Sequence, residues 1–128
     1  MFFLKLIGHL PLFILYRIAT LAKWLLYFVF SYRKKVIVNN IKNSFPDLSN
    51  SQVNALTVKF YGYLTDQMVE FFKGSTISKK EMLKRVNLVN EQIITNYLDK
   101  GIPVVLVAGH QGNWEWAVHR LALSENLY

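Results

Sequence analysis

The opening stretch, MFFLKLIGHLPLFILYRIATLAKWLLYFVF (residues 1–30), carries too much aliphatic and aromatic side chain to be left in water. Lipid or other protein must cover it. A bilayer-spanning helix takes about 20 predominantly apolar residues, and every window of that length here contains Arg17. Projection at about 100° per residue gathers Lys5, His9, Tyr16, Arg17, Thr20, Lys23 and Tyr27 into an arc of roughly 120°. The rest of the wheel is Leu, Ile, Phe, Val and Trp. Such segregation suits a helix lying in a membrane interface, or one whose polar face meets the rest of the protein. A core helix of a soluble domain is a further reading. A signal peptide fits worst, because Arg17 interrupts the apolar run and no A-x-A site precedes a polar mature region. Pro11 is expected to break or kink the helix near its start. Residues 1–31 are thus expected to form a membrane-associated helix, with the remaining residues, 32–128, forming the second part of the chain.

Charge strengthens the membrane reading. The chain carries a net charge of +7, and residues 1–48 hold seven Lys/Arg against the single acid Asp47. Residues 49–128 are nearly balanced, with eight Lys/Arg against seven acids. Cations beside apolar sequence are drawn to anionic lipid, at about 1 kcal/mol each near the surface. A nucleic-acid partner is not expected, since a nucleic-acid binder sets its cations on a polar face. If the first helix spans, Arg33, Lys34 and Lys35 just after it put the following chain on the cytoplasmic side. Cysteine is absent, which excludes a disulfide framework or a thiolate metal site.

Beyond the basic run, Pro46 and Asp47 mark a turn, and Ser49 with Gln52 forms a capping box. Val53, Leu56, Phe60, Leu64, Met68 and Phe71 follow at three- and four-residue spacing, predicting a helix that stops at Gly74 and whose stripe packs in a core or faces a membrane. Ser78 with Glu81 predicts a second, short basic helix. Val86–Val89 reads as a short strand, and Asn90 as the cap of a helix running to about Lys100 and closed by Gly101. Ile102–Ala108 (IPVVLVA) reads as a strand buried on both faces of a parallel sheet. A glycine-containing turn and a helix, WEWAVHRLALSEN, come next. The expected fold class is therefore α/β: an N-terminal membrane-associated helix, then the start of an αβ domain whose sheet is incomplete. Because a doubly buried strand needs a neighbour on each edge, the sequence reads as the N-terminal part of a longer protein, inactive by itself.

The sharpest feature is Gly109-His110-Gln111-Gly112-Asn113-Trp114-Glu115, where the predicted strand hands over to a helix. Catalytic groups in open α/β folds collect at the carboxyl ends of strands. A corner of this kind can bring the His110 imidazole and the Glu115 carboxylate within hydrogen-bond reach. The acid would fix the ring's tautomer, and the other ring nitrogen could then take a proton from a substrate hydroxyl. Backbone N–H groups around Gly112, Asn113 and Trp114 could steady the resulting oxyanion. Other readings of the same residues stay open. Gly109-x-x-Gly112 also suits a phosphate cradle, although it lacks the lysine of a P-loop. His119 could partner Glu115 instead, and Trp114 and Trp116 could simply pack. His110, Glu115 and His119 match no zinc spacing, so neither a metal nor a cofactor is expected.

In GHQGNWEW the sequence resembles the lipid A late acyltransferases, the lauroyl/myristoyl transferase branch of the lysophospholipid acyltransferases. These share an H-x-x-x-x-(D/E) signature, matched by His110 and Glu115. Upstream, YRKKVIVNNIKNSFPDLS resembles the family's basic, Asn-containing stretch ending in SFP. The resemblance implies that residues 32–128 are the N-terminal part of an acyltransferase domain. It implies transfer of a fatty acyl group from an acyl-carrier-protein or CoA thioester to a hydroxyl of a lipid A precursor or related glycolipid. The reaction would take place at the cytoplasmic face of the inner membrane, with His110 as general base and Glu115 as its orienting partner. Later family motifs, including an arginine-bearing block for acceptor phosphates, have no counterpart before Tyr128. Two alternatives remain: a lysophospholipid or glycerolipid acyltransferase, and a membrane-anchored interaction protein without chemistry.

Overall fold

A computed structural model describes residues 6–124. Lys5 of the predicted polar arc, and Glu125 and Asn126 of the last predicted helix, lie outside the described residues. After a helical turn at residues 6–8, the elements are α1 (Leu12–Trp24), a π-helical turn (Leu25–Val29), α2 (Lys34–Ser44), α3 (Asn50–Gly74), α4 (Lys79–Arg85), α5 (Glu91–Leu98) and α6 (Trp114–Leu121).

No strand occurs among the described residues, which corrects the α/β expectation: the fold is helical, with no incomplete sheet. Residues 86–88 and 102–109 are irregular. A strand exists through hydrogen bonds to a neighbour, and β-branched composition alone supplies none. The expected double burial is absent as well, since Val105 is 87% and Val107 94% exposed.

The described residues group into two compact units. One runs from Leu10 to Glu70. Pro11 ends the first turn and serves as the N-cap of α1, its carbonyl accepting from the Ile14 and Leu15 N–H groups. There its missing N–H costs nothing. α1 and α3 run alongside each other in opposite directions. Tyr27 Oη donates to Asn54 Oδ1 (2.8 Å) near one end, and Tyr16 Oη donates to Glu70 Oε1 (2.7 Å) near the other. Lys23 lies between them, its stem against Gly62. Tyr16, Lys23 and Tyr27 of the predicted polar arc thus face protein, while His9, Arg17 and Thr20 stay exposed.

The capping box at Ser49 forms, with the Gln52 side chain accepting from Ser49 N–H (2.8 Å) and Ser49 Oγ from Gln52 N–H (3.3 Å). The buried face of α3, however, lies one position beyond the predicted stripe: Val53, Thr57, Tyr61, Thr65 and Val69. Phe60, Met68 and Phe71 are exposed. Two threonines bury without penalty because each hydroxyl donates back within its own helix, Thr57 to Val53 O (2.8 Å) and Thr65 to Tyr61 O (3.0 Å). Tyr61 is fully buried, edge-on to Tyr27 at 5.5 Å, and donates to the Tyr32 carbonyl (2.6 Å). With Ile37 these two rings form one buried cluster of the unit. Burial pushes the Tyr61 phenol up, and Tyr27 adds to it.

The second unit joins residues 6–9 to those from Phe71 onward. Gly8 is buried there, its carbonyl accepting from Lys73 Nζ (3.0 Å) and Thr76 Oγ1 (2.5 Å). A Cβ on Gly8 would lie 2.6 Å from the Phe72 carbonyl oxygen, so only glycine fits. The predicted cap of α4 is present, Ser78 Oγ accepting from Glu81 N–H (3.2 Å). α5 begins at a left-handed Asn90 whose side chain makes no capping bond. It ends in a Schellman motif: Gly101 N–H reaches Leu98 O (2.8 Å), Ile102 N–H reaches Tyr97 O (3.0 Å), and Gly101 takes φ +70°.

Candidate active site

The corner from Gly109 to Glu115 is built by short-range chemistry. Gln111 N–H closes a tight turn onto Gly109 O (2.8 Å), and Gly112 takes φ +64° in open surroundings, so its requirement is conformational. Asn113 is the N-cap of α6, with Oδ1 accepting from Trp116 N–H at 3.0 Å. That bond satisfies one of the helix's orphan donors. Glu115 falls in the first turn, where the helix dipole favours a carboxylate.

His110 is exposed and Glu115 half-buried. No hydrogen bond joins them; the imidazole rests against the Trp114 ring, with centroids 4.8 Å apart and planes at 60°. Trp114 therefore touches the proposed base, while Trp116 is buried and packs its indole edge against Gly74. His119 lies half-buried in the last turn of α6. Among the described residues no cluster of His, Asp and Glu is placed to hold a metal ion. Chemically, the corner offers an accessible imidazole and an acid in the first turn of the helix that follows.

A second polar centre in this unit was not legible in the sequence. Arg120 of α6 reaches Glu91 at the start of α5, Nη2 to Oε2 at 2.9 Å, and Nη1 donates to Ser124 Oγ (2.8 Å). Ser124 in turn hydrogen-bonds Glu91 Oε1. The Ser124 hydroxyl first, and the Arg120 guanidinium with it, hold the Glu91 carboxyl below its ordinary range. These contacts bridge 29 and 33 residues, and no local periodicity announces them. They fix the helix that carries Glu115.

The family model for bacterial lipid A biosynthesis acyltransferases matches residues 1–126. A match over nearly the whole chain, with an imidazole–acid corner inside it, defines an acyltransferase. The chain belongs to the bacterial lipid A biosynthesis acyltransferase family. No curated protein and no solved structure matches it. The family implies an acyl donor and a lipid acceptor in general terms.

Proposed function

We propose that the enzyme transfers a fatty acyl group from an acyl-carrier-protein or CoA thioester to a hydroxyl of a lipid A precursor or related glycolipid, with His110 as general base. The observation that carries this reading is the accessible His110 imidazole beside a helix whose first turn holds Glu115. In the reaction the acceptor hydroxyl gives its proton to His110 as its oxygen attacks the thioester carbonyl. The tetrahedral intermediate then collapses with C–S cleavage, and the imidazolium returns the proton to the departing thiolate. Glu115 orients the ring and steadies the imidazolium once the two meet in the liganded site, as hydrogen bonds of unliganded sites tighten on binding. Backbone N–H groups around Gly112, Asn113 and Trp114 face the developing oxyanion.

Residues 1–31 act as the membrane anchor, and residues 32–128 belong to the acyltransferase part. Leu12–Val29 is long and apolar enough to cross a bilayer, a property it shares with core helices and signal sequences. Location at the cytoplasmic face of the inner membrane is what resemblance to the family implies, and Arg33–Lys35 after that helix add the cations that anionic lipid attracts. An acyl chain gains about 0.8 kcal/mol per buried CH₂, so the acceptor stays in the bilayer and the enzyme must meet it there.

The test offers a lipid A precursor and a lysophospholipid side by side to the expressed enzyme and its His110→Ala variant. Acylation of the lipid A precursor, lost in the variant by roughly 10²–10⁴-fold with membrane binding intact, is expected. Preference for the lysophospholipid would reassign the acceptor, and undiminished turnover would remove His110 from the mechanism.

A further inference from the structure

In the unit Leu10–Glu70, α1 buries Leu12, Leu15 and Ala19 and flanks them with polar groups that meet protein. Tyr16, Lys23 and Tyr27 turn toward α3, where Glu70, Asp66 and Asn54 meet them. Burial, reinforced by Glu70 and opposed by Lys23, holds the Asp66 carboxyl above its ordinary range. The outward side carries Phe13, Ile18, Leu21, Leu25 and Phe28, all exposed, with Leu21 at 63% and Phe28 at 68%, and the exposed Arg17 and Thr20 stand among them. Exposed Val29, Phe30 and Tyr32 prolong this surface up to Arg33. There the chain turns through two left-handed residues, Ser31 (φ 46°) and Arg33 (φ 52°), and opens a cavity of about 620 Å³. Arg33, Lys34, Lys35 and Asn39 line that cavity, and Lys34 Nζ is braced 3.8 Å from the Tyr27 ring centroid.

We infer that this unit docks on an anionic lipid bilayer with α1 lying in the plane of the interface, its outward apolar side in the acyl region and headgroup phosphates at the Arg33–Lys35 cavity. The inference rests on the membrane location proposed above and fixes its geometry. A spanning α1 would carry with it the partner it is hydrogen-bonded to along its length. α3 holds Lys59, Asp66, Glu70 and Lys73, and charged groups in hydrocarbon are costly. Lying flat, α1 gives the lipid the side that protein leaves bare, lets Arg17 extend its guanidinium to the headgroups, and keeps α3 on the water side. Charge complementarity selects the lipid, because the apolar surface leads directly into three consecutive cations.

The chain has no cysteine, so single-cysteine variants Leu21→Cys and Phe28→Cys can carry spin labels without background. Their depths are measured on vesicles of equal parts phosphatidylglycerol and phosphatidylcholine, with phosphatidylcholine alone as the control. Matching depths are expected for an in-plane helix. A spanning helix would instead separate the labels by about 10 Å along the normal, seven residues at 1.5 Å each, and would overturn the inference while leaving the membrane location standing. Arg33→Asn, chosen because asparagine tolerates a left-handed backbone, is combined with Lys35→Gln. Partitioning onto the anionic vesicles should fall roughly 30-fold, about fivefold per charge, with little change on the neutral ones. Equal effects on both vesicles would remove the phosphate role. Failure of the parent chain to bind vesicles of either composition would defeat the membrane location itself.

Discussion

Asn113 separates a structural role from a chemical one at the centre of the proposed site. Its Oδ1 accepts from Trp116 N–H at 3.0 Å and starts the eight-residue helix that carries Glu115. A helix this short has no stability of its own in water, so the cap and the Arg120–Glu91 pair must hold it. Asn113→Ala removes the cap at a cost of about 1 kcal/mol. For a chain of this length, unfolding entropy near 2.1 cal/mol/K per residue converts that into a Tm lower by about 4 °C. Asn113→Asp keeps an acceptor in the same place and gains from the dipole, so its Tm should stay at or slightly above that of the parent. The assay pairs thermal unfolding with acyl transfer across Asn113→Ala, Asn113→Asp and Asn113→Ser. Activity should follow helix stability, with the Asp and Ser variants close to the parent. An Asp variant that folds as well as the parent yet loses turnover a hundredfold or more would refute this, because it would mean the amide NH₂ acts on substrate.

Three other perturbations follow from the packing. Glu91 has a carboxyl held below its ordinary range by Ser124 and Arg120; its contribution is therefore complete above the unfolded value of about 4.3 and lost as pH falls through the folded one. Urea midpoints of Glu91→Gln against pH should lack that acid limb, whereas an unchanged limb would assign it to another group. Gly8→Ala drives a methyl to 2.6 Å from the Phe72 carbonyl and should destabilise by about 1–3 kcal/mol, read from the shift in denaturant midpoint. Tyr61→Phe removes the bond to the Tyr32 carbonyl and should cost about 0.5–1.5 kcal/mol with the buried ring otherwise in place, again by denaturant midpoint.

What could be read from the sequence was local. The Ser49–Gln52 box, the Ser78 cap and the Gly101 stop each depend on residues within one turn, and each forms as expected. Of the two readings of the α3 stripe, core packing holds only for Val53, because periodicity counts Thr57 and Thr65 as polar, whereas a hydroxyl that bonds its own helix can be buried. Residues 102–108 were misread for the opposite reason: Val, Leu and Ile favour a strand only where a partner strand exists, and among the described residues none does. At the site, Gly112 and the first-turn position of Glu115 follow from local pattern. The contact of His110 with Trp114, and the clamp of Arg120 on Glu91, depend on side-chain directions and long-range closure that no spacing encodes.

Acyl transfer measured across a double-mutant cycle of His110→Ala and Glu115→Gln tests the mechanism most directly. If the acid serves only through the imidazole, the double variant should be no slower than His110→Ala alone, with Glu115→Gln costing less than either. Losses that multiply in the double variant would show two residues working independently, and the paired base proposed for this enzyme would be wrong.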